Sequence, residues 1–141
     1  MNDIMAPSGT DLAHFAFCKL LVNDLEKTAA FYRTVFGLAD WKRVAHDHSA
    51  TTGGPIDEIT FRSTAAGGPS LTLLKTTDRP APPIGEAVMG FITPDLAALL
   101  DRAKAAGGEL ARPIRDMPEH KVKVAFVKDN EGHLIEVVEL S

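Results

Sequence analysis

KLLVNDLEKTAAFYRTVFGL, residues 19–38, carries the end of a strand, a helix cap, a helix and its stop signal. Asp24 stands where an N-cap belongs, because its carboxylate can accept a hydrogen bond from an N–H that the first turn leaves unpaired. Behind it Leu25, Ala29, Tyr32 and Phe36 recur at helical spacing, and Phe31 and Val35 widen the stripe into a face. Gly37 falls where a helix end needs a left-handed residue. Upstream, His14 to Val22 (HFAFCKLLV) is aromatic and aliphatic and reads as a strand that Asn23-Asp24 breaks.

Working outward, three strand-like runs follow the helix: Trp41 to Ala45, Ile56 to Arg62 and Ser70 to Lys75. A loop over residues 46–55 and a turn over 64–69 separate them. DRPAPP, residues 78–83, reads as a linker, since proline lacks the N–H and fixes φ. The order then restarts. Ala87 to Ile92 is a strand, and Asp95 caps a helix with Leu96, Leu99, Leu100 and Ala103 on one face. Gly107-Gly108 ends that helix, and a short strand leads into Arg112-Pro113. Lys121 to Val127 and His133 to Leu140 are strands joined by a hairpin turn over 128–132.

The two caps lie 71 residues apart (24 to 95), and the same offset carries Gly37 to Gly108. Half a chain of displacement with the same element order signals duplication. The predicted fold class is α+β: two repeated β-α-β-β-β modules, over residues 13–77 and 86–141, joined by a linker over 78–85 into one domain. Residues 1–12 read as a flexible tail.

Composition narrows the function classes. The 141 residues are 45% hydrophobic and 24% charged, which suits one packed domain. A net charge of −4 without a basic stripe excludes an ordinary nucleic-acid binder. No apolar run approaches a membrane span, and the first residues lack the layout of a secretory signal. A single cysteine, Cys18, forms no intrachain disulfide, and a reducing cytoplasm is the expected location.

A second stretch, AFVKDNEGHLIEVVEL at residues 125–140, adds to the first. Together they resemble the vicinal oxygen chelate superfamily, the group of glyoxalases, bleomycin-resistance proteins and extradiol dioxygenases. Asp24-Leu25, Phe31-Tyr32 and Phe36-Gly37-Leu38 match its opening strand and helix. Residues 129–132 match its closing hairpin, with Asn130 where a proline is usual. The resemblance implies curved mixed sheets around a cavity that holds a small molecule. It also implies paired modules, and a homodimer is expected, since exposed sheet edges invite pairing.

Glu136 is the leading candidate for chemistry. Leu134, Glu136, Val138 and Leu140 share one strand face, so Glu136 lies among apolar neighbours. A carboxylate buried there must be paired, hydrogen-bonded, metal-bound or protonated. The resemblance equates Glu136 with the family's terminal metal-ligand glutamate. The other three ligand positions fall on Phe17, on Thr72, and on Ala87 or Val88, none of which replaces an imidazole or carboxylate. The expectation is therefore no metal and no cofactor.

The expected cavity lining is Phe17, Lys19 and Leu21 on one face of the first strand, Thr72 and Leu74 on the fourth, Ala87, and His120 at the rim. Lys19 could pair with Glu136 or carry its head to the rim. Glu58, Thr60 and Arg62 could line the wall or face solvent. His14, His46, His48 and His133 read as solvated, and Cys18 as a small core residue.

The leading reading is a metal-independent binder of a small organic molecule, with Glu136 available for proton transfer or isomerisation. The alternatives are a metal-dependent lyase or dioxygenase of the glyoxalase type, and a non-catalytic sequestration protein.

Overall fold

The computed structural model describes residues 12–140; most of the expected tail, residues 1–11, lies outside them. The first half contains β1 (Phe17–Leu21), α1 (Leu25–Phe36), β2 (Asp40–His46), β3 (Ile56–Phe61) and β4 (Ser70–Thr76). The second contains β5 (Met89–Ile92), α2 (Leu96–Ala105), β6 (Glu109–Met117), β7 (Val122–Lys128) and β8 (Leu134–Leu140), with a short 3-10 turn at Pro118–His120. Each half forms a four-stranded mixed sheet, in the orders β1-β4-β3-β2 and β5-β8-β7-β6. The first strand of each half runs parallel to the last, and the other pairs are antiparallel. The two sheets do not join into one. This is the α+β duplicated architecture expected.

Both helices start as their sequence dictates. Asp24 accepts from the Lys27 N–H at 3.0 Å and Asp95 from the Ala98 N–H at 3.1 Å. Gly37 ends α1 with φ +70°, and its N–H reaches back into the last turn. In α2 the left-handed glycine is Gly107 (φ +94°), one residue before the position that the offset selects. Gly108 has a steric reason instead. A Cβ there would lie 2.7 Å from both the Lys128 carbonyl oxygen and the Phe31 ring.

One core serves both halves. It combines the apolar stripes of the two helices with the helix-facing residues of the sheets, such as Ile59, Leu73, Val127, Ile135 and Val137. Phe36 of α1 stacks on Phe91 of β5 at 3.9 Å between ring centroids. Three strands differ from expectation. β1 is shorter, starting at Phe17 and not at His14. β6 continues through Pro113 to Met117, because it is an edge strand and the register slips between Arg112 and Arg115, so the missing N–H breaks no ladder bond. β5 begins at Met89, leaving Ala87 and Val88 outside it.

Candidate functional site

Since Leu20, Leu71, Leu73, Ile59 and Phe61 pack toward the helices, their alternating neighbours occupy the opposite face of the first sheet. Phe17, Lys19, Leu21, Thr72, Leu74, Glu58 and Thr60 share that face. Cys18 has the opposite parity and is only partly buried, outside the core cluster that it was expected to join. In the second sheet Gly90, Ile92, Val124, Phe126, Glu136 and Val138 face away from the helices.

The register decides which polar groups meet. Lys19 lies beside Thr72, and Leu74 beside Glu58. The Lys19 ammonium therefore reaches diagonally across β4 to the Glu58 carboxylate at 3.2 Å, and to the Thr51 hydroxyl at 3.4 Å. Thr60 and Thr72 share a hydrogen bond of 2.8 Å. Of the two readings of Lys19, the pair with Glu136 does not form: the two residues belong to different sheets, and Glu58 already holds the cation. Glu136 is only partly buried, and its side chain makes no hydrogen bond or ion pair among the described residues. The expectation of a largely buried, paired Glu136 is corrected.

Extending the register bears on the position left open in the second half. Val22 donates to Leu74 and Thr93 to Val138, so the same step closes each half, 71 residues apart on the first strand and 64 on the last. Thr72 thus corresponds to Glu136, and Phe17 to Val88, whose parity matches Gly90. Ala87 has the other parity. The four ligand positions that the resemblance implies then fall on Phe17, Thr72, Val88 and Glu136, a set with one carboxylate. Such a set does not fit a transition metal, which takes three or more imidazole, carboxylate or thiolate donors. Among the described residues no group of three or more His, Cys, Asp or Glu side chains could hold a metal.

A cleft of about 320 Å³ opens beside β1, between Lys19, Leu21, the linker residues Pro82 to Ala87, and His133. It gathers three of the expected lining residues (Lys19, Leu21, Ala87) but neither Thr72 nor Glu136. His120 is exposed in its 3-10 turn and meets neither group of residues. His14, His46 and His48 are exposed, and so is Arg62, just past the end of β3.

His133 is the residue that sequence reasoning missed. It is buried, not solvated. Its Nδ1 lies 2.8 Å from Asp129 Oδ2, and the Tyr32 hydroxyl donates to that same oxygen at 2.8 Å. Asp129 Oδ1 accepts the backbone N–H groups of Glu131 and His133. Burial raises the Asp129 pKa, but His133, the Glu131 N–H and Tyr32 outweigh it, and the net shift is downward. The Asp129 hydrogen bond raises the His133 pKa against the burial that would lower it. Burial first, and the Asp129 charge second, push Tyr32 well above its ordinary value. Next to this cluster, Glu131 accepts from the Asn23 and Asp24 N–H groups and from the Thr28 hydroxyl, at 2.6 to 3.1 Å. The closing hairpin of one half thereby caps the helix of the other. The sequence signal was the Asp129–His133 spacing, four residues across a glycine turn.

Comparison with known proteins agrees with the architecture. A glyoxalase family protein from Bacillus cereus superposes with a TM-score of 0.80 at 17% identity, over 96% of this chain and 99% of that one. A glyoxalase-related enzyme from Fulvimarina pelagi gives 0.65 at 24% identity, over 91% and 88%. A glyoxalase I mutant from Zea mays gives 0.71 at 16%, over 89% of this chain but 44% of the maize one. No curated protein matches in sequence. The family model for the Glyoxalase/Bleomycin resistance protein/Dioxygenase superfamily matches residues 11–137, nearly the whole chain. With the duplicated sheets and the closing hairpin, that match makes this chain a member of the superfamily.

Proposed function

We propose that this protein binds a small organic molecule on the sheet faces turned away from its helices, and that it does so without the family's metal. The observation that carries the reading is the content of the four ligand positions: a phenyl ring, a hydroxyl, an isopropyl group and one carboxylate. The hydroxyl is engaged with Thr60, and the Lys19–Glu58 pair supplies fixed charge beside it. Glu136, with no partner among the described residues, is the group able to take or give a proton on a bound ligand, so proton transfer or isomerisation is the chemistry that the residues support.

A homodimer is part of the proposal. Phe17 (57% exposed), Val88 (56%) and Ile92 (46%) leave apolar surface near the candidate residues, which a second copy would cover. Among the described residues no helix is long and apolar enough to cross a membrane. We place the protein in the cytoplasm, a reading supported by the free thiol of Cys18.

Elemental analysis of protein purified without chelator, together with a thermal-shift screen of metals and metabolites, tests the reading. The expected result is substoichiometric metal, no stabilisation by zinc, nickel, iron or manganese, and stabilisation by an organic ligand that Glu136→Gln weakens. Near-stoichiometric metal that is lost in Glu136→Gln would overturn it.

A further inference from the structure

The equivalence of the halves aligns a row of residues across each sheet. In the first sheet the row is Lys42, Thr60, Thr72 and Lys19, on β2, β3, β4 and β1. The matching row of the second is Arg112, Phe126, Glu136 and Gly90, on β6, β7, β8 and β5. Residues paired across neighbouring strands project to the same face. With about 4.8 Å between strands, the Arg112 and Glu136 backbones stand roughly 10 Å apart with Phe126 between them.

The two rows treat charge differently. In the first, Lys19 is satisfied by Glu58 and the threonine hydroxyls by each other. In the second, neither the Arg112 nor the Glu136 side chain has a hydrogen bond or ion pair among the described residues. The Arg112 guanidinium leans over the Phe126 ring at 6.0 Å. On the other flank Gly90 leaves a gap, since a Cβ built there meets nothing within 4 Å. Read in order, the row offers an anion receptor, an aromatic surface, a cation receptor and a notch.

We infer that this row is a subsite for a small zwitterion whose ammonium and carboxylate ends are held apart by a flat apolar body. The ammonium pairs with Glu136, the body lies against Phe126, and the carboxylate takes the planar fork of Arg112. A ligand with only one charged end would leave the other receptor unanswered. The inference rests on the proposal that these faces bind the ligand, and names the class of ligand.

The test uses the full chain and three probes: 4-(aminomethyl)benzoate, benzylamine and benzoate, titrated by calorimetry and by amide chemical-shift mapping. The zwitterion is expected to bind about tenfold more tightly than either single-ended probe, the worth of one additional charge-assisted hydrogen bond. Glu136→Gln should weaken the two amine-bearing probes about tenfold and leave benzoate unchanged. Arg112→Gln should weaken the two carboxylate-bearing probes and leave benzylamine unchanged. Equal affinity for all three probes, or variants that weaken all three alike, would overturn the inference. If none of the probes binds while a different metabolite does so in a Glu136-dependent way, the zwitterion assignment fails and the general binding proposal survives. If the probes bind and their shifts map away from residues 90, 112, 126 and 136, both fail.

Discussion

Removing the Asp129 carboxylate should be among the most damaging single changes available to this protein. Asp129→Ala takes away the acceptor of the fully buried Tyr32 hydroxyl and of the His133 ring, and of two backbone N–H groups. The Glu131 N–H is only part-buried, but the His133 N–H and ring and the Tyr32 hydroxyl are buried, with Tyr32 0% exposed and His133 only 7%. A buried donor left unsatisfied costs about 1–3 kcal/mol, and breaking a buried charged pair by deleting one partner costs about 3–5 kcal/mol in all. With a urea slope near ~2 kcal/mol/M, the unfolding midpoint should fall by roughly 2 M. Tyr32→Phe should cost less, about 1.5–3 kcal/mol, and nothing further once Asp129 is already Ala. The pair also has a pH signature. His133 has a raised pKa, so its contribution is complete below its unfolded value of 6.5 and is lost as pH rises through the folded value. Asp129 has a lowered pKa, so its contribution is complete above its unfolded value of 3.8 and is lost as pH falls through the folded one. Stability measured against Asp129→Ala should therefore be greatest between those two unfolded values and decline on both sides. A loss under ~1 kcal/mol, or one independent of pH, would refute the argument that this cluster ties the halves together.

Two further changes probe the junction. Glu131→Ala strips the cap that the second half places on α1 and should cost about 1–2 kcal/mol, with faster hydrogen exchange confined to the first turn of that helix. Gly108→Ala drives a methyl group against two backbone carbonyls as well as Phe31, and should lower stability by about 3 kcal/mol in thermal melts. Gly107→Ala, strained only by its positive φ, should lose about 1–2 kcal/mol.

Local signals carried most of the fold. Asp24, Asp95 and Gly37 act through hydrogen bonds within one helical turn, so a reader of the chain can see both partners at once. The duplicated order was visible for the same reason. Contacts that depend on register were not. Lys19 has several carboxylates within reach of an imagined strand, and only the β3–β4 pairing selects Glu58 over Glu136. His133 looked like a turn residue, because the residues it meets are remote in sequence: it borders a cleft with Leu21 of β1 and shares the Asp129 carboxylate with Tyr32, 101 positions earlier (32 to 133). Pro113 looked like the end of a strand, because an edge position with a slipped register cannot be told from a terminus by composition. The candidate site was legible as residue types, and its wiring was not.

The hairpin that caps α1 also fixes when that helix can be finished. Glu131 lies more than a hundred residues after Asn23, and Phe91 reaches Phe36 from across the linker. A chain growing at roughly 5–20 residues per second must wait several seconds between making the helix and making its cap. Through that interval Phe36 lacks its Phe91 partner and Tyr32 lacks Asp129. Loop closure over so long a separation is slow, and such surfaces attract chaperones or other nascent chains. The repeated architecture therefore does not give two independent folding units: the first half completes its contacts only after the second has arrived.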